Sequence, residues 1–162
     1  MNKAKTAAVI GAGFAGCEAA KQLSARGIKV RLYEMKPKKF SPAHSSENFA
    51  ELVCSNSFKA IRIETAAGLL KKEMEHFDSL TVKCAYESQV PAGGALAVDR
   101  EMFSKLVTSE IEADENIDVI REEVTEIPDA DAVIIAAGPL VSEALAEKIA
   151  ALSGGFLSFY DA

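Results

Sequence analysis

One turn constrains this chain more than any other part of it. Gly11, Gly13 and Gly16 spell G-x-G-x-x-G between the apolar run Thr6 to Ile10 and a helix-patterned stretch from Cys17 to Arg26. A short run that is apolar throughout predicts a strand buried on both faces. Ala19, Ala20 and Leu23 supply the apolar side of the helix, and Gly27 falls where a helix-terminating glycine belongs. Ile28 to Glu34 reads as the next strand. Strand, glycine turn, helix and strand in this order make the opening of a dinucleotide-binding βαβ unit. In such a unit Gly11 allows the tight bend, Gly13 lets backbone approach a diphosphate, and Gly16 lets helix and strand pack closely. The helix start turns unpaired N–H groups and a partial positive charge toward the phosphates. Glu34 lies 18 residues past Gly16. There a carboxylate accepts the ribose hydroxyls of an adenosine and repels a 2′-phosphate.

Further along, residues 35–48 carry Pro37, Pro42, lysines and serines and read as loop. Lys36, Lys38 and Lys39 read as a solvated cluster within it. Leu69 to Phe77 looks helical, with Leu70, Met74 and Phe77 on one face, and Ser79 to Ala85 reads as a strand. Val90 to Gly94 is a Pro/Gly loop. Asp99 is placed to cap a helix running to about Ala113, with Phe103, Leu106, Val107 and Ile111 inward. Ile117 to Val124 and Ala132 to Ala136 complete the strands. This alternation predicts an α/β, Rossmann-like fold with a mostly parallel sheet. The run from Gly154 to Ala162 opens a new apolar pattern and stops within it, as expected of a truncated domain.

Composition bounds the partners. A chain of 162 residues suits one domain, and a net charge of −6 gives no general attraction for nucleic acid. No apolar run is long enough for a bilayer and no secretory leader is evident, so a cytoplasmic protein is expected. Three scattered cysteines and two histidines form neither a disulfide framework nor a metal-binding pattern, so no metal is expected. Cys17 and Cys84 read as packing residues. Cys54 differs, because Ser55, Asn56 and Ser57 follow it in a loop expected near the carboxyl ends of the strands. It reads either as a reactive thiol or as a small buried residue. Arg100 opens a helix, where it either reaches a cofactor phosphate or joins a surface ion pair. His44 reads either as a pocket residue or as a hydrogen-bonded loop histidine. The strand ending in Ala136-Ala137-Gly138-Pro139 resembles the second flavin-contact strand of two-dinucleotide flavoproteins, with Gly138 allowing close approach.

Taken together, GAGFAG, LYEMKP, SPAH, FAELVCSNSF, VPAGGALAVDREMFS, VIREEVTEIP and IIAAGPL, in this order, resemble the folate- and FAD-dependent tRNA (uracil-5-)-methyltransferase family. The resemblance runs from Ala8 to Ala162, so residues 1–162 are expected to be an N-terminal FAD-binding domain, incomplete relative to the family. It implies methylation of C5 of a T-loop uridine in tRNA, with 5,10-methylenetetrahydrofolate as one-carbon donor, reduced FAD as reductant and NAD(P)H to restore it. By the same resemblance Gly11, Ala12, Gly13, Phe14, Ala15 and Gly16 match the flavin-phosphate loop, and Glu34 matches the ribose-binding acid. Cys54 matches a family cysteine that either adds to the uracil or shields the one-carbon unit carried on the flavin. The family's second cysteine falls beyond this sequence, so the chain alone is expected to be inactive. Three alternatives stay open: the same chemistry on ribosomal RNA, a generic flavin or NAD oxidoreductase, and a non-catalytic nucleotide-binding module. The sequence does not set the oligomeric state.

Overall fold

The computed structural model describes residues 5–154. In chain order the elements are β1 (Thr6–Ile10), α1 (Phe14–Ala25), β2 (Lys29–Tyr33), β3 (Ser57–Ala60), α2 (Ala66–Glu75) and α3 (Leu80–Glu87). There follow β4 (Gln89–Val90), β5 (Ala95–Val98), α4 (Arg100–Glu112), β6 (Ile117–Ile120), β7 (Ala132–Ile135) and α5 (Glu143–Ser153). Four strands form a parallel sheet in the order β6-β2-β1-β7. Counted along the chain, that is third, second, first, fourth. The winding direction therefore reverses between β1 and β7, and a cleft opens beyond their carboxyl ends.

β1 earns its central place by composition. Ala7, Ala8, Val9 and Ile10 are all buried, and Val9 lies level with Leu32 on one side and Ile134 on the other. α1 lies close to this strand because it turns Gly16, Cys17, Ala20 and Ser24 inward, all of them small. A Cβ built on Gly16 would stand 1.7 Å from the Gly11 carbonyl oxygen, so only glycine permits this approach. Arg26 and Gly27, the latter with φ +74°, then turn the chain into β2.

Everything between β2 and β6 forms one long crossover. It carries a three-stranded antiparallel sheet, β3-β5-β4, and ends in α4, which packs on α1 and β6. The buried residues of both layers form one cluster that includes Leu32, Phe49, Leu80, Cys84, Leu96, Phe103 and Ile111. α4 follows the expected pattern: Asp99 accepts the Met102 amide as its cap, and Phe103, Val107 and Ile111 are buried.

Several expectations are corrected here. Ser79 to Ala85 is α3 and not a strand. The Ser79 hydroxyl accepts the Val82 amide, and Leu80, Thr81, Val82, Cys84 and Ala85 are all buried. A short helix enclosed on most sides loses its 3.6-residue polarity and reads as apolar alternation. α2 exists where a helix was expected, but Leu70 and Phe77 are 56% and 66% exposed. Gly68 and Lys71 face inward instead. β3 begins at Ser57 in the segment read as loop, and β5 was not anticipated; the two pair with each other across some forty residues of chain. The β6 strand ends at Ile120, short of Val124. α5 was not anticipated, and it ends at Gly154 in the left-handed conformation. The rest of the expected apolar run, 155–162, lies outside the described residues.

Gly16→Ala should destabilise the fold by about 1–3 kcal/mol or more, since the helix must move off the strand. Urea unfolding followed by circular dichroism measures this, and an unchanged midpoint would show that α1 tolerates the shift.

Candidate functional site

The cleft at the β1/β7 reversal encloses about 340 Å³. Its floor is the glycine turn. Gly11 has φ +97°, and a Cβ there would come within 2.8 Å of the Ala136 oxygen, so β7 and the turn meet over glycine. At Gly13 the reverse holds: a Cβ would meet nothing within 4 Å. That open space stands over the start of α1, where Gly13 occupies the cap position and offers no side chain to the helix amides. α5, whose Ser142 and Leu145 line the same cleft, also lacks a side-chain cap bond. By contrast Thr65, Ser79 and Asp99 cap α2, α3 and α4. The two uncapped helix starts thus border one cleft, with their amides available to an anionic ligand.

Glu34 forms the cleft's other polar feature. It is 7% exposed, and its two oxygens accept the Ala12 and Lys36 amides, each at 3.0 Å. The carboxylate therefore fastens the end of β2 to the glycine turn. Each oxygen keeps a further lone pair for a hydroxyl donor.

The wall beside Glu34 is the loop after β2, held by a network that the sequence did not disclose. Lys36 is buried, not solvated as expected. Its Nζ donates to the Asn48 carbonyl at 2.7 Å and lies 3.5 Å from Glu51. Burial alone would raise the Glu51 carboxyl. The Ser45 and Ser46 amides, the Ser45 hydroxyl and the Lys36 charge outweigh it, and hold the group below its ordinary range. Arg121 donates to the Glu47 carbonyl at 2.7 Å and lies over the Phe49 ring at 4.1 Å. Lys39 crosses to Glu123 at 2.7 Å. Lys36, Glu51 and Arg121 fall within LYEMKP, FAELVCSNSF and VIREEVTEIP, yet nothing in those runs by themselves shows that the three side chains tie the loop together.

Gly11, Ala12, Gly13, Phe14, Ala15, Glu34 and Gly138 all line the cleft, whereas Gly16 serves helix packing. Gly138 has φ +68° with open space around its Cβ position. His44 both lines the cleft and bonds the Ser41 hydroxyl through Nδ1 at 2.6 Å. Cys54 is exposed, one residue beyond Val53 at the cleft margin. Arg100 lies outside the cleft lining. Its guanidinium donates to the Cys54 carbonyl at 3.3 Å. Cys17 and Cys84 are buried, and burial pushes both thiols up, Cys84 to about 11. Among the described residues no His/Cys/Asp/Glu group is placed to hold a metal ion, and no helix is long and apolar enough to cross a membrane.

A third-second-first-fourth parallel sheet with a bare glycine-capped helix start and a buried acid on the neighbouring strand defines a Rossmann-type nucleotide-binding domain. The model of the glucose inhibited division protein A family matches residues 6–159, and the chain belongs to that family. The chain is 59% identical over 155 residues to methylenetetrahydrofolate–tRNA-(uracil-5-)-methyltransferase TrmFO of Acetivibrio thermocellus, covering 95% of this chain and 36% of that protein. The protein of the same name from Pelotomaculum thermopropionicum is 58% identical over 159 residues, covering 98% of this chain and again 36% of the relative. The chain thus spans about a third of the length of these relatives. Among solved structures, GidA of Aquifex aeolicus superposes with a TM-score of 0.61 at 18% identity, over 79% of this chain and 21% of that one. The tetrameric form of 2-methyl-3-hydroxypyridine-5-carboxylic acid oxygenase gives 0.55 at 15% identity, over 89% and 43%. At such identities these two show the shared fold.

Two predictions test this geometry. Gly13→Ala should leave the unfolding midpoint unchanged while weakening ADP binding about tenfold or more in calorimetry, because the added methyl enters the open space. The acid limb of stability should depend on Glu51. Its carboxyl is held low in the folded chain, so its contribution is full above the unfolded value and is lost as pH falls through the folded one. Glu51→Gln should therefore be less stable than the parent at neutral pH and lose less on acidification, read from urea midpoints across that range.

Proposed function

We propose that this chain is the FAD-binding part of a methyltransferase that moves the one-carbon unit of 5,10-methylenetetrahydrofolate to C5 of a T-loop uridine in tRNA. The observation that carries the cofactor assignment is a single cleft that holds both the bare start of α1 at Gly13 and the buried Glu34 carboxylate. These residues fit the ADP half of FAD. The α1 amides would receive the diphosphate, Glu34 would accept the ribose hydroxyls, and Gly138 would leave room for the chain of the cofactor to pass. The methyltransferase assignment is supported by 59% identity to a protein named for that reaction.

The chemistry assigns the remaining parts. Reduced flavin, when bound, supplies the hydride that turns a methylene into a methyl group. Uracil C5 is a poor nucleophile until a thiolate adds at C6, so a cysteine is required. Cys54, exposed beside the cleft margin, serves as such a thiol or as the shield of the one-carbon unit. NAD(P)H restores the flavin, and tRNA and folate place the reaction in the cytoplasm.

A protein of the relatives' full length carrying this stretch should purify yellow, absorbing near roughly 450 nm. It should transfer label from methylenetetrahydrofolate to tRNA lacking the T-loop methyl, and Cys54→Ala should abolish transfer. Label appearing only in ribosomal RNA would redirect the substrate assignment, and undiminished transfer by the variant would remove Cys54 from the chemistry.

A further inference from the structure

The polar contacts around Cys54 converge on three residues at the β5–α4 junction. Arg100 Nη2 donates to the Cys54 carbonyl at 3.3 Å. Asn56 is tied to Val98 twice: its Nδ2 donates to the Val98 carbonyl at 3.0 Å, and its own carbonyl accepts the Val98 amide at 2.9 Å. The Ser57 amide closes back on the Ser55 hydroxyl at 3.1 Å, and Ser57 then takes its place opposite Ala97 in the sheet. Every one of these contacts holds the chain around Cys54. Among the described residues no hydrogen bond engages its thiol.

Arg100 is not committed elsewhere. Its neighbours are spent: Asp99 caps the Met102 amide at 2.8 Å, and Glu101 pairs with Lys105 at 2.6 Å. Arg100 itself forms no ion pair among the described residues. Its anchoring helix is in turn registered to the cleft. Phe103, one turn on in α4, stacks on Phe14 with ring centres 5.4 Å apart, and Phe14 is the first residue of α1 and lines the cleft. Phe58 on β3 leans on both rings, at 5.8 Å and 5.4 Å. A continuous path of contacts therefore runs from the glycine turn through Phe14, Phe103 and Arg100 to the Cys54 carbonyl.

We propose that Arg100 is a positioning residue for Cys54, fixing the bend that presents the thiol at the cleft margin, and is not a ligand of a cofactor phosphate. The proposal rests on the reading that Cys54 takes part in methyl transfer. A side chain hung on a helix that stacks on the phosphate turn sets the distance between thiol and cofactor site, and loss of such registry slows a reaction more than it weakens binding.

The test is Arg100→Gln, with Arg100→Lys as the conservative variant and Asn56→Ala as a second way of releasing the bend. In the chain itself, Arg100→Gln should keep the unfolding midpoint and the ADP affinity. Hydrogen exchange of a peptide covering 53–57 should quicken about tenfold. In a protein of the relatives' full length, kcat for methyl transfer should fall about tenfold or more with KM for tRNA and folate nearly constant. Arg100→Lys should recover part of that loss, Asn56→Ala should reproduce it, and Cys54→Ala/Arg100→Gln should be no slower than Cys54→Ala alone. Loss of ADP affinity or of bound flavin in Arg100→Gln would return Arg100 to the phosphates and overturn the proposal. So would full kcat in Arg100→Gln beside an inactive Cys54→Ala. Full transfer by Cys54→Ala would instead bring down the reading beneath it.

Discussion

The site depends on one close approach, that of α1 to the turn after β1. With Gly16 against the Gly11 carbonyl, the helix begins directly beyond the strand, and its free amides face the cleft and not the core. Any side chain at position 16 would push the helix outward and carry those amides away from the end of β1. The Glu34 carboxylate adds the second constraint. By accepting the Ala12 amide it fixes the turn to β2, so the glycine turn and the acid are held to one another. Packing at Gly16 and hydrogen bonding at Glu34 act on the same few residues. Local geometry and binding chemistry are therefore difficult to separate there.

The charge around the cleft explains why the cradle is made of backbone. Glu34, Glu51, Glu122 and Glu123 line it, whereas its one lining lysine, Lys36, is turned to the Asn48 carbonyl and Glu51. A dianionic diphosphate seated in this cleft, as proposed, would find no free ammonium or guanidinium among these residues. Its stabilisation would come from helix amides at short range, a dipolar source that acts within the first turn. The acids are in part neutralised from outside: Lys39 holds Glu123, and the serine amides together with Lys36 hold Glu51. The wall is thus shaped by carboxylates that serve as acceptors for the loop.

What the sequence disclosed follows from where each feature draws its energy. Gly11, Gly13, Gly16 and Glu34 were legible because a strand–turn–helix unit imposes local backbone demands that few residues meet. Asp99 and the inward face of α4 were legible for the same reason. α3 was misread because an enclosed helix has no polar face to mark its period. β3 and β5 were missed because their pairing joins Ser57 to Ala97, a contact with no local signature. Lys36 and Arg121 were missed because the loop contacts they make, Lys36 to Asn48 and Arg121 to Glu47 and Lys36, join residues 12 to 85 positions apart. The lysine cluster read as one solvated patch and divides in the fold, with Lys36 buried and Lys39 bridging to Glu123 at the surface. Arg100 was noticed for its charge and place at a helix start, yet its contact is set by the bend it meets.

The cysteine bend and the glycine turn belong to different layers, and the fold joins them through aromatic packing. β3, β5 and β4 form a small sheet of their own, which shares no strand with the parallel sheet. Had the bend been tied only to that sheet, its position relative to the cleft would follow from how the two layers slide. Phe14, Phe58 and Phe103 remove this freedom, because they bring α1, β3 and α4 together at one point. Phe103 is fully buried, so the contact is enclosed and not a surface adjustment. An exposed thiol can then keep a defined place although no hydrogen bond among the described residues holds its sulfur, since the backbone that carries it is registered to the same helix start that borders the cleft.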